Sequence, residues 1–160
     1  MRRAFLASLC VLAGCAGPFD AVRPETRAGG VVARYCGSSG YRAASVVAAM
    51  DGPPLGETGG GTTAPREVTF CVELGNGGAR PVRVNRNLIT LHVGAERYGI
   101  TADRDDERLI VPPGAARKLK VTYQYGSGIV SGQDAELRLA DAITVDDRPL
   151  ALPALRVRRR

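Results

Sequence analysis

Glu67-Val-Thr-Phe-Cys-Val-Glu-Leu74 alternates polar and apolar residues at every step. Val68, Phe70, Val72 and Leu74 fall in one phase, and the polar residues fall in the other. A period of two residues is typical of a β-strand with one buried and one exposed face. This stretch therefore predicts a half-buried strand in the middle of a sheet protein.

Strand-length segments with turn residues between them continue on both sides of this stretch. The segment 41–50 is ambiguous between a short helix and a strand, and we favour a strand. The segment 51–65 is rich in glycine and proline and predicts a loop. Its run of three glycines does not indicate a phosphate-binding loop, because a predicted strand follows it where such a loop needs a helix. Regular spacing of this kind predicts an antiparallel sandwich or barrel. The other predicted strands are 31–36, 81–84 (at a sheet edge, because of its proline), 88–93, 97–101, 109–111, 117–125, 135–139, 143–145 and 150–157.

The N-terminus has the order of features that an export signal needs. Arginines at positions 2 and 3 precede an apolar run over 4–12, which is about half of the roughly 20 residues of a membrane-spanning helix. The run ends in Leu12-Ala13-Gly14-Cys15, which resembles the recognition sequence of bacterial lipoproteins. We predict a lipoprotein signal peptide over 1–14 and acylation of Cys15. The alternative is an ordinary secretory signal cleaved near Ala16.

The same N-terminal pattern also predicts where in the cell envelope the protein is located. Ala16 follows the cysteine, which by resemblance to Gram-negative sorting rules favours the periplasmic face of the outer membrane. The polar run after it predicts a tether over 15–30. The chain has 160 residues and a formal charge of +6; without the first 14 residues it has 146 residues and a charge of 20 − 16 = +4. This balance favours anionic surfaces as partners and, with few aromatic residues, argues against nucleic acid.

The four cysteines have different predicted roles according to their positions in the chain. Cys10 lies in the leader and Cys15 is the predicted lipid acceptor, which leaves Cys36 and Cys71. Disulfides persist in the periplasm, so we predict a bridge between these two residues rather than a metal or redox site. Both fall in the polar phase of their predicted strands. The bridge is therefore expected on the outer face of a sheet.

The region 66–123 resembles the immunoglobulin-like domains of bacterial envelope lipoproteins. The resemblance is carried by the strand that ends in Asn76-Gly77, the Pro-Val strand at 81–84, the Leu-rich strand at 88–93, and Val-Pro-Pro-Gly at 111–114 before Lys-Leu-Lys-Val-Thr-Tyr at 118–123. Most of these domains have no assigned function. The resemblance implies an immunoglobulin-like β-sandwich, which we place at 31–157, followed by a basic tail at 158–160. It supplies no catalytic residues.

Catalytic and metal-binding patterns are missing from the sequence. His92 is the single histidine, and its phase predicts an exposed strand residue, which argues against a catalytic triad or a zinc site. Carboxylates at 103, 105, 106 and 107 lack a calcium-loop spacing and alternate with arginines, as in a solvated loop. We therefore predict no metal, no cofactor and no enzymatic activity.

The C-terminus has the densest charge in the chain. For Arg156, Arg158, Arg159 and Arg160 we favour a role in solubility, and the functional alternative is a basic patch for anionic lipid or wall polymer. Together these features predict an all-β, lipid-anchored, non-catalytic module that docks on an envelope protein complex. The alternative function is binding of a small molecule or an anionic envelope polymer.

Overall fold

The computed structural model describes residues 17–43, 66–100, 109–125, 129 and 131–160. The predicted leader, Cys15, the loop 51–65 and the carboxylates at 103–107 lie outside these residues. The described chain is almost entirely β, which confirms the predicted class, with one 3-10 turn at Arg86–Leu88. Its strands are β1 (Phe19–Arg23), β2 (Glu25–Ala28), β3 (Val31–Ala43), β4 (Arg66–Asn76), β5 (Val82–Val84), β6 (Thr90–Val93), β7 (Glu96–Tyr98), β8 (Leu109–Val111), β9 (Ala116–Tyr125), β10 (Asp134–Arg138), β11 (Ile143–Val145), β12 (Arg148–Pro149) and β13 (Leu155–Arg159).

The strands form three antiparallel sheets in the described residues. A long sheet has the order β2-β3-β4-β9, a five-stranded sheet the order β1-β13-β10-β6-β7, and a short sheet the order β12-β11-β5-β8. The chain crosses between the last two sheets from β5 to β6, from β10 to β11 and from β12 to β13. The two strands of each crossing hold corresponding places, because the order β12-β11-β5 in the short sheet matches the order β13-β10-β6 in the five-stranded sheet. The five-stranded and short sheets are therefore two halves of one interrupted layer. The other layer is the long sheet.

The interruption is bridged by backbone hydrogen bonds. The amide of Asn85 donates to the carbonyl of Ala142 over 2.7 Å, and the amide of Leu150 donates to Ile143 over 2.9 Å. Such bonds satisfy polar groups that would otherwise be lost where a strand stops. The strand order is thus kept from one half of the layer to the other.

The alternation of β4 builds the core as the sequence predicts. Phe70 is fully buried, and its ring centroid lies 5.1 Å from Phe19, 6.4 Å from Tyr35 and 5.9 Å from Tyr123. Phe19 belongs to the five-stranded sheet, so this ring cluster joins the two layers. A single buried cluster takes side chains from all three sheets, and the β4 and β9 residues in it are Val68, Phe70, Val72, Leu74, Leu119, Val121 and Tyr123.

The predicted tether over 15–30 is wrong from Phe19 onward. This region contains β1, which pairs with β13, and β2, which pairs with β3. Phe19 is only 3% exposed and Thr26 only 5%. Both strands are edge strands with most side chains in solvent, so their composition resembles that of a polar linker. The folded domain therefore begins about twelve residues earlier than the sequence pattern indicated.

Two smaller predictions also need correction. The strand at 81–84 is not an edge strand, because β5 lies between β11 and β8. Pro81 precedes β5 and removes no amide from its ladder, so a central position is allowed. The basic tail at 158–160 is not separate from the domain, since β13 extends to Arg159. Of the ambiguous segment 41–50, the part up to Ala43 belongs to strand β3.

The predicted disulfide is present. Cys36 and Cys71 are bonded, with their Cα atoms 5.1 Å apart, and they join the neighbouring strands β3 and β4. Cys36 is exposed and Cys71 is partly exposed, so the bridge lies on the outer face of the long sheet as predicted. The register passes from Tyr35 opposite Val72 to Gly37 opposite Cys71. Cys36 is therefore the extra residue of a bulge.

We predict that replacing both cysteines, Cys36→Ser with Cys71→Ser, lowers the free energy of unfolding by about 3 to 4 kcal/mol. The bridge closes a sequence separation of 35 residues, and its loss frees the unfolded chain. Urea unfolding of the oxidised protein and the double variant measures the difference. A reducing agent should destabilise the wild type by the same amount and leave the variant unchanged. Equal stability of all samples would contradict a structural bridge.

Asn76 connects the layers at the end of β4. Its side chain is buried, and its Nδ2 atom donates to the carbonyls of Arg80 over 2.8 Å and Val111 over 2.9 Å. Its Oδ1 atom accepts from the amide of Gly78 over 3.0 Å. One side chain therefore joins the long sheet to the turn before β5 and to β8 of the short sheet.

Replacing Asn76 with alanine is expected to lower the free energy of unfolding by about 2 to 4 kcal/mol, because buried carbonyls and an amide lose their partners. Asn76→Asp tests the donors alone, since a carboxylate can still accept from Gly78 but cannot donate. The exposed control Gln124→Ala should change stability by less than about 0.5 kcal/mol. Chemical unfolding measures all three variants. An Asn76→Ala effect as small as that of the control would refute the role of the amide.

Candidate functional site

One row of polar side chains crosses all five strands of the five-stranded sheet. Arg23, Arg156, Glu136, His92 and Arg97 are cross-strand neighbours in that order. Further charged residues flank this row on the same side. We call the whole surface the arginine face, and its members are Asp20, Arg23, Thr90, His92, Arg97, Asp134, Glu136, Arg138, Arg156, Arg158 and Arg160.

The period of the strands places these residues outward. Leu91 of β6, Leu137 of β10 and Leu155 of β13 are fully buried on the inner side. Their neighbours in sequence must then lie on the opposite side of the sheet. The arginine face is thus the outer surface of a sheet whose inner surface is the core.

Carboxylates hold several of the arginines in place. Arg158 Nε donates to Asp134 over 2.6 Å, and Arg160 Nε donates to Asp20 over 2.6 Å. Hydrogen bonds from these guanidinium groups hold the pKa of each carboxyl below its usual value. Because all four groups are exposed, these pairs position the side chains more than they stabilise the fold.

Glu136 is shared by two arginines. Its carboxylate lies 3.0 Å from Arg156 and 3.3 Å from Arg138. One negative charge therefore offsets two positive charges. Arg23 and Arg97, at the two ends of the row, have no ion pair within the described residues. The excess positive charge of the face comes from this incomplete pairing.

His92 lies in the middle of the excess charge. Burial lowers the pKa of its imidazole, and the positive charges of Arg138 and Arg97 lower it further, against a smaller opposite effect of Glu136. These effects favour the neutral form of the ring over the charged form. Its Nε2 atom lies 3.0 Å from Thr90 Oγ1. The predicted outward position of His92 is confirmed, with partial rather than full exposure.

Three shallow depressions on this face meet at Arg138. The first, of about 480 Å³, lies beside His92 and Glu136; the second, of about 330 Å³, beside Thr90 and Arg97; the third, of about 300 Å³, beside Arg23. All three are open to solvent. Guanidinium groups present planar pairs of donors that match phosphate and carboxylate oxygens. The geometry therefore suits anionic groups that approach from outside.

The structure distributes the predicted site residues over several places. Arg156, Arg158 and Arg160 lie on the arginine face, each paired with a carboxylate. Arg159 has the opposite phase, and its Nη1 atom donates to the carbonyl of Ile129 over 2.7 Å. Three of the four C-terminal arginines therefore share one face and Arg159 lies apart from them, because a strand turns successive side chains to opposite sides. The Cys36–Cys71 bridge lies on the other layer, and Leu12, Ala13, Gly14 and Cys15 lie outside the described residues.

Sequence reasoning missed the arginines that carry the excess charge. Arg97 and Arg138 occupy the polar phase of predicted strands, so the alternation contains a signal for their position. Arg23 lies in the segment that resembled a tether and gave no such signal. Within the described residues, no group of three His, Cys, Asp or Glu side chains could hold a metal ion. No helix in that part of the chain is long and apolar enough to cross a membrane.

Comparisons with known proteins give a likeness of fold. No protein-family model and no curated protein matches the sequence. A crystal structure described as that of "a putative lipoprotein (ycdA)" from Bacillus subtilis subsp. subtilis str. 168 covers 86% of this chain, with a TM-score of 0.59 and 11% identity. This chain spans 39% of that chain. A functionally unknown protein from Listeria monocytogenes EGD-e covers 76% of this chain and is itself covered over 75%, with a TM-score of 0.45 and 7% identity. The chain therefore shares its fold with the matched part of the Bacillus subtilis protein.

Proposed function

We propose that this chain is a lipid-anchored, non-catalytic accessory module of the cell envelope that docks on a protein partner. The proposed anchor is acylated Cys15, on the periplasmic face of the outer membrane, and the proposed domain is an immunoglobulin-like sandwich. The pattern Leu12-Ala13-Gly14-Cys15 supports the anchor. The fold likeness to a protein described as a putative lipoprotein agrees with an envelope location.

The observation that carries the docking role is the free side of β9. This strand pairs with β4 over ten successive positions, from Ala116 to Tyr125. Within the described residues no strand pairs with its other side, although β7 comes near it. A long strand edge of this kind is a template for an additional strand.

The direction of the backbone groups can be assigned from two contacts. Ala115 O accepts from the amide of Asn76, so odd-numbered positions face β4. Lys120 O accepts from Arg86 Nη2, so even-numbered positions face away from β4. Backbone groups alternate in this way along an antiparallel strand. Lys118, Thr122 and Gln124 therefore offer backbone groups to a partner strand, which would have to displace the Arg86 guanidinium from the carbonyl of Lys120 between them.

Charge selects the class of partner. Arg117, Lys118 and Lys120 are exposed along β9. A cationic edge repels a second copy of itself and attracts an extended segment with acidic side chains. The proposed partner is thus an envelope protein with an acidic extended segment that adds a strand to the long sheet.

Proline at position 118 should block this docking without unfolding the sheet. The amide of Lys118 points away from β4, so Lys118→Pro removes a donor for the partner and none from the existing ladder. With a photo-crosslinking residue at Gln124, the unsubstituted protein is expected to give one dominant protein adduct in cells. Lys118→Pro should reduce that adduct at least about tenfold, because strand addition depends on main-chain hydrogen bonds and this variant lacks one of the donors.

Lys118→Ala is the matched control, because it removes the same charge and keeps the amide. It should retain most of the adduct, with the difference from Lys118→Pro assigned to the backbone. Thermal unfolding should give similar midpoints for both variants. Equal adduct yields for Lys118→Pro and the unsubstituted protein would refute strand addition at β9.

The proposed acylation of Cys15 is tested separately from the docking role. Intact mass of the protein extracted from membranes is expected to correspond to a chain that begins at Cys15 and carries acyl groups. Two or more acyl chains give stable attachment, because each buried CH₂ contributes about 0.8 kcal/mol. Cys15→Ser should abolish the acyl mass, and density separation of the membranes should place the wild type with the outer membrane. A mass without acyl groups would refute the anchor.

A further inference from the structure

The folded domain begins very close to the proposed lipid site. A Cβ atom on Gly17 would lie 1.9 Å from the carbonyl oxygen of Ser38, so Gly17 is packed directly against β3. The amide of Phe19 donates to Ser38 Oγ over 3.2 Å, which fixes the start of β1. Cys15 is two residues before Gly17, and an extended chain spans at most about 3.6 Å per residue. The lipid would therefore be attached within about 7 Å of the packed domain.

From Phe19 onward, the chain that follows the proposed attachment point forms part of the sheet that carries the arginine face. β1 is an edge strand of the five-stranded sheet, and Phe19 at its start pairs with Arg159. The next residue, Asp20, is bonded to Arg160 on the outer surface. An anchor at this corner holds the five-stranded sheet close to the bilayer. The long sheet forms the other layer, and of its strands β3 contacts Gly17 at this corner.

The charge of the face matches an anionic bilayer. The arginine face has six arginines (Arg23, Arg97, Arg138, Arg156, Arg158 and Arg160) and three carboxylates (Asp20, Asp134 and Glu136), a difference of three positive charges among its members. Asp141 stands at the rim of one depression. Strand spacing of about 4.8 Å spreads the row from Arg23 to Arg97 over roughly 19 Å. Several headgroups can therefore contact the face at once.

We propose that the arginine face lies on the anionic headgroups of the membrane that holds Cys15, with headgroup phosphates in the depressions around Arg138. This inference rests on the proposed anchor. Arg97 and Arg138 supply the guanidinium donors, and His92 and Thr90 line the same depression. A basic residue near an anionic bilayer surface strengthens binding about fivefold. The short connection to Cys15 keeps the face at the surface where these contacts form.

Contact with phosphates should also change the charge of His92. The groups around its imidazole are Arg138 and Glu136 from β10 and Arg97 from β7. Negative phosphates beside the two arginines offset the repulsion that now lowers the pKa of His92. The pKa of His92 should therefore rise on an anionic bilayer. The contact then strengthens as the pH falls through that raised pKa and weakens above it.

A photo-crosslinking residue at Ala140, beside Arg138 in two of the depressions, tests the orientation. The lipidated protein is reconstituted in phosphatidylcholine vesicles with or without phosphatidylglycerol. Lipid adducts are expected from position 140 when phosphatidylglycerol is present, and far fewer from Gln124 on the other layer. Arg97→Gln with Arg138→Gln should reduce the adducts at 140 about tenfold or more. The matched control, Arg117→Gln with Lys118→Gln on β9, removes the same charge and should leave the yield within about twofold.

Equal adducts from positions 140 and 124, or equal effects of the two double variants, would overturn the proposal. NMR of the single histidine gives an independent result, because an unchanged pKa of His92 on anionic bilayers would also contradict the contact. Intact mass separates this proposal from the anchor. If Cys15 carries no acyl group, the anchor fails, and sedimentation of the protein with both kinds of vesicle still tests the arginine face.

Discussion

The fold depends on one buried amide at a corner between its layers. Asn76 ends β4, and its side chain bonds the carbonyls of Arg80 and Val111 together with the amide of Gly78. These groups belong to the turn before β5 and to β8, so the amide determines where the chain leaves the long sheet and how the short sheet begins. The core alone could not impose this connection, because apolar contacts have no direction, whereas hydrogen bonds require defined geometry.

The sequence predicts the parts of this fold in which one side of a strand is buried and the other is exposed. β4 and β9 are central to the core, and their alternation gave the correct phase for Phe70, Cys71 and Tyr123. β1 and β2 could not be predicted in the same way. An edge strand that buries one side chain in four or five has the composition of a linker, and only its pairing with β13 or β3 reveals it.

The candidate site was predictable in part for the same physical reason. Alternation places Arg97 and Arg138 on an outer surface, but it does not show which strands are neighbours. The row from Arg23 to Arg97 joins residues that are up to 133 positions apart in sequence, since it includes Arg156. Local sequence also cannot show that Asp20 and Asp134 lie beside Arg160 and Arg158. The densest run of arginines is therefore the better neutralised one, and the excess charge comes from isolated arginines on other strands.

The two proposed interactions use opposite layers of the domain. The arginine face belongs to the five-stranded sheet, and the free side of β9 belongs to the long sheet. Gly17 packs against β3, which leaves one residue, Ala16, between Cys15 and the domain. Such a short connection restricts the domain to the membrane surface, whereas a tether of 16 residues would let it rotate freely. A restricted domain with one face toward the bilayer presents the β9 edge in a limited range of directions, and this reduces the orientational entropy that a membrane-bound partner loses on docking.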